Sequence, residues 1–286
     1  MTTNSMVSPL KQVLVCSPKA AGWDSLAASH WKELGFVHEA NFSSAQAQHC
    51  ELRRQLQEAG AEVLDMPACE NFSLDAVYAH DSSFATEQGL VILNPGKANR
   101  VPEGAAHRSF AKTNGVAVLG EIKAPGTIEA GDMVWLDSKT LLIGRGFRTN
   151  VEGIAQMQAL LPEVEVISAP LPYGTGPSAC LHLMSLMSLL DEKTVLVDLP
   201  WLAVETFESL KRRGYSLVEI EASERDTLAC NVLALGKNRL LAIEENHKTN
   251  QKLRAAGFDV RTFPGSEIGI NGGGGPTCLT RPLVRA

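Results

Sequence analysis

Four residues in this chain of 286 combine reactive types with near-regular spacing: Asp81, Glu129, His182 and Cys278. Counting Cys230, which falls midway between the last two, the intervals are 48, 53, 48 and 48 residues. A thiolate is a nucleophile, an imidazole moves protons near neutral pH, and a carboxylate can hold a cation or orient a histidine. Cys278 stands in INGGGGPTCLTRP, close to the carboxyl end. Four consecutive glycines remove side-chain bulk and admit unusual backbone angles, so substrate and main chain can approach the thiol. A phosphate-cradling loop would need a Lys-Ser/Thr and a following helix, and neither fits the few residues that remain. The plain alternative is a flexible tail around a buried cysteine. His182, in ACLHLMSLM, would on its own be a hydrogen-bonded core histidine; its place in the repeat makes it a candidate acid and base. TIEAGDMV offers Glu129 and Asp132 on either side of Gly131, unless this is a solvated turn. Asp81 follows aromatic and small residues in VYAHDSSF, a poor setting for a purely solvating charge. Arg100 (NPGKANR) and Arg148 (GRGFRTN) could each grip a carboxylate, or be exposed loop arginines.

These residues can meet only if the chain folds each interval back on itself, and the intervening sequence has the pattern for it. Each reactive residue opens an apolar stretch, followed by a turn, a second apolar stretch, a helical pattern and a short β-like run. The turns are marked by Gln88-Gly89, Asp137-Ser138-Lys139, Asp191-Glu192-Lys193 and Gly236-Lys237-Asn238. Helical patterns include 152–161 and 203–213, and the closing runs are VAVLGEI, VEVISAPL, YSLVEIE and FDVRTF. The amino-terminal piece supplies a strand, a helix over 44–59 and another strand, the remainder of the unit that Cys278 begins. One such module cannot bury its own apolar face, so a period near 50 predicts five ββαβ modules set radially as an α/β propeller. Residues 1–286 would then form one catalytic domain with Asp81, Glu129, His182 and Cys278 around its axis. The competing architecture is a doubly wound sheet with evenly spaced elements.

Composition is that of a soluble globular enzyme, with 44% hydrophobic and 20% charged residues. A net charge of −6 without a basic cluster argues against a nucleic-acid partner, which would need a basic stripe to neutralise phosphates. The amino terminus lacks the apolar run of a signal peptide, and the greasiest stretch, 181–190, is too short to span a bilayer. A cytoplasmic protein is expected. Its six cysteines, widely spaced and without CxxC, are expected to be reduced, five of them as small buried hydrophobes. No metal or cofactor is expected, and a homo-oligomer stays open.

Taken together, several segments resemble the guanidino-group-modifying (pentein) superfamily of dimethylarginine dimethylaminohydrolases, arginine deiminases and amidinotransferases. GGGGPTCLTRP resembles the nucleophile segment and LHL at 181–183 the catalytic-histidine segment. IEAGD resembles the segment with the carboxylate that orients that histidine. RTN at 148–150, DAVYAHD and PGKANR resemble substrate-binding segments. The resemblance implies a five-bladed propeller and a small guanidino substrate. It implies that the Cys278 thiolate attacks the guanidinium carbon, His182 protonates the departing amine, and a covalent thiouronium is released by water. Glu129 would fix His182, Asp81 and Asp132 would line the substrate cavity, Arg148 and Arg100 would hold a substrate carboxylate, and Tyr78 would be an aromatic pocket residue. One departure stands out: the dimethylaminohydrolases carry an acidic residue where this chain has His80, which leaves the substrate's charge open. An amidinotransferase, a binding protein on the same scaffold, or a hydrolase of a neutral ureido compound are the alternatives.

Overall fold

Every apolar stretch of the repeat becomes a strand, and the stretch after its turn pairs antiparallel to it. The computed structural model describes residues 4–177 and 181–286. The chain begins with β1 (Leu10–Val15), a short helix α1 (Trp31–Leu34), α2 (Phe42–Glu58) and β2 (Glu62–Asp65). Four complete modules follow. The first is β3 (Ser83–Thr86), β4 (Gly89–Ile92), α3 (Val101–Thr113) and β5 (Val118–Glu121). The second is β6 (Met133–Asp137), β7 (Thr140–Arg145), α4 (Val151–Leu160) and β8 (Glu165–Pro170). The third is β9 (Met187–Leu189), β10 (Thr194–Val197), α5 (Val204–Arg212) and β11 (Ser216–Glu219). The fourth is β12 (Leu233–Gly236), β13 (Arg239–Ile243), α6 (His247–Ala255) and β14 (Asp259–Phe263), and β15 (Arg281–Arg285) ends the chain.

In each module the second strand is antiparallel to the first and parallel to the third, the helix making the crossover. The fifth sheet joins the two ends of the chain, in the order β15-β1-β2. This is the five-bladed ββαβ propeller; no sheet among the described residues has more than three strands, so the doubly wound alternative is excluded.

Successive side chains of a strand point to opposite faces, and here both faces are covered. Met133 and Trp135 of β6 pack with Phe84 and Val91 of the first blade, whereas Val134 and Leu136 pack with Met187 and Val195 of the third. Leu190 and Leu196 meet Val232 and Leu240, and Leu233 and Leu241 meet Val13 and Leu283. This explains why the strands read as continuous apolar runs rather than alternating ones. The tight turns use the expected chemistry. Gly236, Lys237 and Asn238 all have positive φ (89°, 55° and 58°), and Asp137 and Asp191 accept from the N–H groups of Lys139 and Lys193.

The cysteine expectation needs correction. Cys16 and Cys230 are buried and their thiol pKa values are pushed up by burial. Cys50 is exposed, on the solvent side of α2, and Cys69 is half-buried; Cys180 lies outside the described residues. No helix among the described residues is long and apolar enough to cross a membrane.

On the inner face of α2, His49 is buried and neither ring nitrogen has a hydrogen-bond partner among the described residues. Burial, helped by the charge of Arg53, lowers its pKa to about 4. The unfolded chain takes up this proton near 6.5, so the neutral ring's contribution is complete above that pH and is lost as the pH falls towards 4. The whole span is on the order of 3 kcal/mol. His49→Leu is therefore expected to raise the urea midpoint near pH 5 more than near pH 7.5; an equal change at both would show that His49 does not carry the acid sensitivity.

Candidate active site

The site is assembled by the short segments that lead into the first strand of each blade, where the main chain has left one blade and not yet entered the next sheet. Ahead of β6, a turn over Ala130–Asp132 puts Glu129 and Asp132 in the interior, both with 0% exposure. Glu129 Oε2 lies 2.6 Å from His182 Nε2. Arg148 Nη1 donates to both carboxylate oxygens at 3.0 Å, and the Lys97 N–H donates to Oε1. Burial alone would raise the Glu129 pKa, but the His182 hydrogen bond and charge, together with Arg148, hold it below the usual carboxylate range.

Asp81 faces this pair across Gly131. Its Oδ1 accepts from the Gly131 N–H at 2.9 Å and its Oδ2 from Arg100 Nη1. Burial raises its pKa, and the charges of His182 and Arg100 outweigh this and keep it low. Gly131 is required here by space: a Cβ on it would come within 2.6 Å of His182 Nδ1 and 2.9 Å of Asp81 Oδ1. Gly131→Ala is expected to displace the imidazole and cut turnover by about 10²-fold, the scale on which ångström-sized misplacement acts. Turnover within a fewfold of wild type, measured alongside an unchanged unfolding midpoint, would show that the close approach is not needed.

Cys278, half-buried, joins the group through its main chain and its sulfur. Its carbonyl accepts from the N–H of His80, the residue before Asp81, at 3.1 Å. Its Sγ accepts from Asn231 Nδ2 at 3.0 Å, and the Thr277 N–H donates to Asn231 Oδ1 at 3.0 Å. Crowding explains three of the four glycines, and the fourth, Gly273, has a φ of +85° with open space around it. A Cβ on Gly274 would meet the Tyr78 ring at 2.4 Å and Cys278 Cβ at 3.0 Å, and one on Gly275 would strike Asn231 at 2.7 Å.

Three of the residues expected at the substrate are held by contacts within the protein. Arg100 is buried, with Nε and Nη2 on Glu103 (2.9 and 2.8 Å), Nη2 also on the Tyr78 carbonyl and Nη1 on Asp81. It braces Asp81 from behind. Asp132 accepts from Thr149 Oγ1 at 2.6 Å and from the Leu183 N–H at 2.8 Å, so it ties the Glu129 turn to the segment that carries His182. Burial pushes its pKa up to about 6. Tyr78 lies beneath the glycine loop, its hydroxyl donating to the Ile268 carbonyl at 3.1 Å.

His80 is wholly buried, with Nδ1 2.8 Å from the Thr280 carbonyl. That bond places its proton on Nδ1 and makes Nε2 an acceptor, which has no partner among the described residues. Burial, with the charge of Arg281, lowers its pKa to about 3, so the ring is neutral. The segment 148–150 is a strap. Beyond the contacts of Arg148 and Thr149, Asn150 accepts from Thr127 and Gly153 and donates to the Pro125 carbonyl, holding the Glu129 segment in place. Ligating atoms of Asp81, Glu129 and His182 lie within 4.8 Å of one another, close enough for a metal ion. Their oxygens, however, already accept from two guanidinium groups and two main-chain N–H groups.

Sequence reasoning missed Asn231, Glu103 and Thr149. Asn231 was findable: it stands two residues before β12 as Asp81 stands two before β3.

The sequence model for "N,N dimethylarginine dimethylhydrolase, eukaryotic" matches residues 25–285. A dimethylarginine dimethylaminohydrolase of Pseudomonas aeruginosa is 25% identical over 269 residues, covering 92% of this chain and 96% of that protein. An arginine deiminase of Mycoplasma capricolum is 30% identical over 194 residues, covering 56% and 47% respectively. Among solved structures, the Pseudomonas aeruginosa enzyme in complex with citrulline superposes with a TM-score of 0.76 at 24% identity, over 97% of this chain and 100% of that one. The substrate-bound amino-terminal domain of a cyanobacterial arginine dihydrolase gives 0.81 at 22% identity, over 96% and 98%. At these identities the structural matches speak for the fold.

Proposed function

Because this chain belongs to the dimethylarginine dimethylaminohydrolase family of the pentein superfamily, we propose that it hydrolyses an arginine-like guanidinium, methylated or not, to citrulline and an amine, with Cys278 as nucleophile. Membership and the deiminase relative support a guanidino hydrolase of the pentein class. The observation that carries the finer reading is the buried series Arg148–Glu129–His182, with Asp81 on the far side of Gly131 and Cys278 joined to the Asp81 segment through its carbonyl and the His80 N–H.

In this reading the Cys278 thiolate attacks the central carbon of a guanidinium aligned by Asp81. The bond from carbon to the departing nitrogen breaks as His182 gives that nitrogen a proton, leaving an S-alkylthiouronium. His182 then takes a proton from water, hydroxide adds to the carbon, the C–S bond breaks, and the ureido product leaves with the thiolate restored. Glu129 holds Nε2 of the ring, and its carboxylate stabilises the imidazolium that each step creates or consumes. Asn231 steadies the sulfur. Arg100 acts on the substrate through Asp81, and a substrate carboxylate would share the Arg148 guanidinium with Glu129. The pairing of β15 with β1 supports reading residues 1–286 as one catalytic unit.

A second reading rests on His80. A neutral acceptor attracts a cation less than a carboxylate does, so an uncharged ureido substrate is favoured here more than in relatives with an acid at this place. A panel of arginine, its methylated forms, agmatine and citrulline, followed by released amine or ammonia and by ureido product, tests both. Turnover of a guanidine is expected; turnover of citrulline alone would establish the second reading, and inertness of the whole panel would sink both.

A further inference from the structure

A cavity of about 350 Å3, which the mechanism above does not use, is lined by residues that touch or flank His182 and Cys278 but by neither of the two themselves. Its inner wall consists of neighbours of both catalytic groups. Leu181 precedes His182, and Ser185 Oγ accepts from the His182 N–H at 3.2 Å. Asn231 and Gly273 come from the thiol's side, Asn231 being the residue whose amide reaches Cys278 Sγ. The outer part is lined by Leu186, Leu228 and the Trp201 ring, over which the Arg225 guanidinium sits 5.6 Å from the centroid.

Charge favours a cation. Arg225 is neutralised by a two-point contact with the buried Asp198, while Asp226, exposed at the rim, has no ion-pair partner among the described residues. The cavity is also braced by strain. Leu228 has φ of +65°, an outlier for a bulky residue, and its carbonyl accepts the Asn231 N–H at 2.9 Å. The unusual turn therefore both shapes the cavity and presents the amide to the sulfur.

We propose that this cavity is the subsite for the departing amine, and that it accepts amines with an aliphatic or aromatic substituent much larger than methyl. The inference rests on the hydrolase reading. The nitrogen that leaves is the one His182 protonates, so its substituent lies on the side of His182, whose neighbours Leu181 and Ser185 line the cavity. With the His182 proton the nitrogen leaves as a neutral amine, and a second proton from water makes it an ammonium, suited to the Asp226 carboxylate and the Trp201 face. A volume of about 350 Å3 is in the range of whole small-molecule sites, roughly 300–1,000 Å3, and far more than two methyl groups fill. The step is ordinary hydrolysis: the C–N bond breaks, the amine takes the proton from His182, and water supplies the ureido oxygen.

The test compares NG-methyl-L-arginine with NG-benzyl-L-arginine, reading methylamine or benzylamine release for wild type, Trp201→Ala and Asp226→Lys. For wild type, kcat/KM for the benzyl compound is expected to lie within tenfold of the methyl compound or above it. Each variant is expected to lower the benzyl value at least tenfold more than the methyl value. Turnover of the methyl compound with the benzyl compound more than tenfold poorer, or equal losses on both in the variants, would overturn the subsite and leave the hydrolase reading standing. Inertness of wild type towards both would remove the hydrolase reading and the subsite with it.

Discussion

Replacing Cys278 with alanine is expected to abolish release of ureido product, a loss on the order of 10⁴-fold or more, as when a nucleophile is removed from a set of residues that act as a unit. The substitution deletes the atom that must bond to carbon. Asp81, Glu129 and His182 hold one another through their own contacts, so the variant should still fold and still bind a guanidine. Binding is the informative control. Calorimetry with a substrate that C278A cannot turn over should give a normal saturable isotherm, and retained turnover in this variant would exclude covalent chemistry at the thiol.

The second large effect is expected for Glu129→Gln. Glutamine can still accept from His182 Nε2, but it cannot offset the charge of an imidazolium, and it leaves the buried Arg148 without its carboxylate. A fall in kcat of about 10²–10⁴-fold is expected, with a smaller change in KM, because the charge matters most when His182 carries a proton. The acid limb of the kcat profile should move to lower pH, since a carboxylate that stabilised the protonated ring is gone. Breaking a buried ion pair also costs about 3–5 kcal/mol of stability, so the kinetics should be taken where circular dichroism shows the variant folded. An unchanged pH profile together with a large loss of stability would assign Glu129 a structural part only.

Much of this was legible in the sequence because period and patterning are properties that a chain displays without folding. The intervals between Asp81, Glu129, His182 and Cys278 located the inner ends of the blades, and the apolar runs located their strands. The amino-terminal strand and helix were recognised as the completion of the last blade, and β15 indeed pairs with β1. What the residue types could not show was which partner each charge would choose. Arg100 reads as a loop arginine available to a ligand, but Glu103 three residues on captures it, and the pair is sealed by Ser82, whose hydroxyl donates to Glu103 at 2.7 Å. Asp132 and Glu129 lie three residues apart and look interchangeable. Their fates diverge because one meets a ring nitrogen and the other a hydroxyl and a main-chain N–H. Asn231 was hidden by its neighbour: a cysteine in register drew attention, although it is the amide next to it that reaches the sulfur.

The most direct test of the covalent mechanism is mass spectrometry of the intact protein, acid-quenched during turnover of arginine and its methylated forms, followed by peptide mapping. An adduct with the mass of the substrate less its departing amine is expected on the peptide containing Cys278, appearing and decaying with turnover and absent from C278A. Ureido product formed without any such adduct, or an adduct mapped to another residue, would contradict the mechanism.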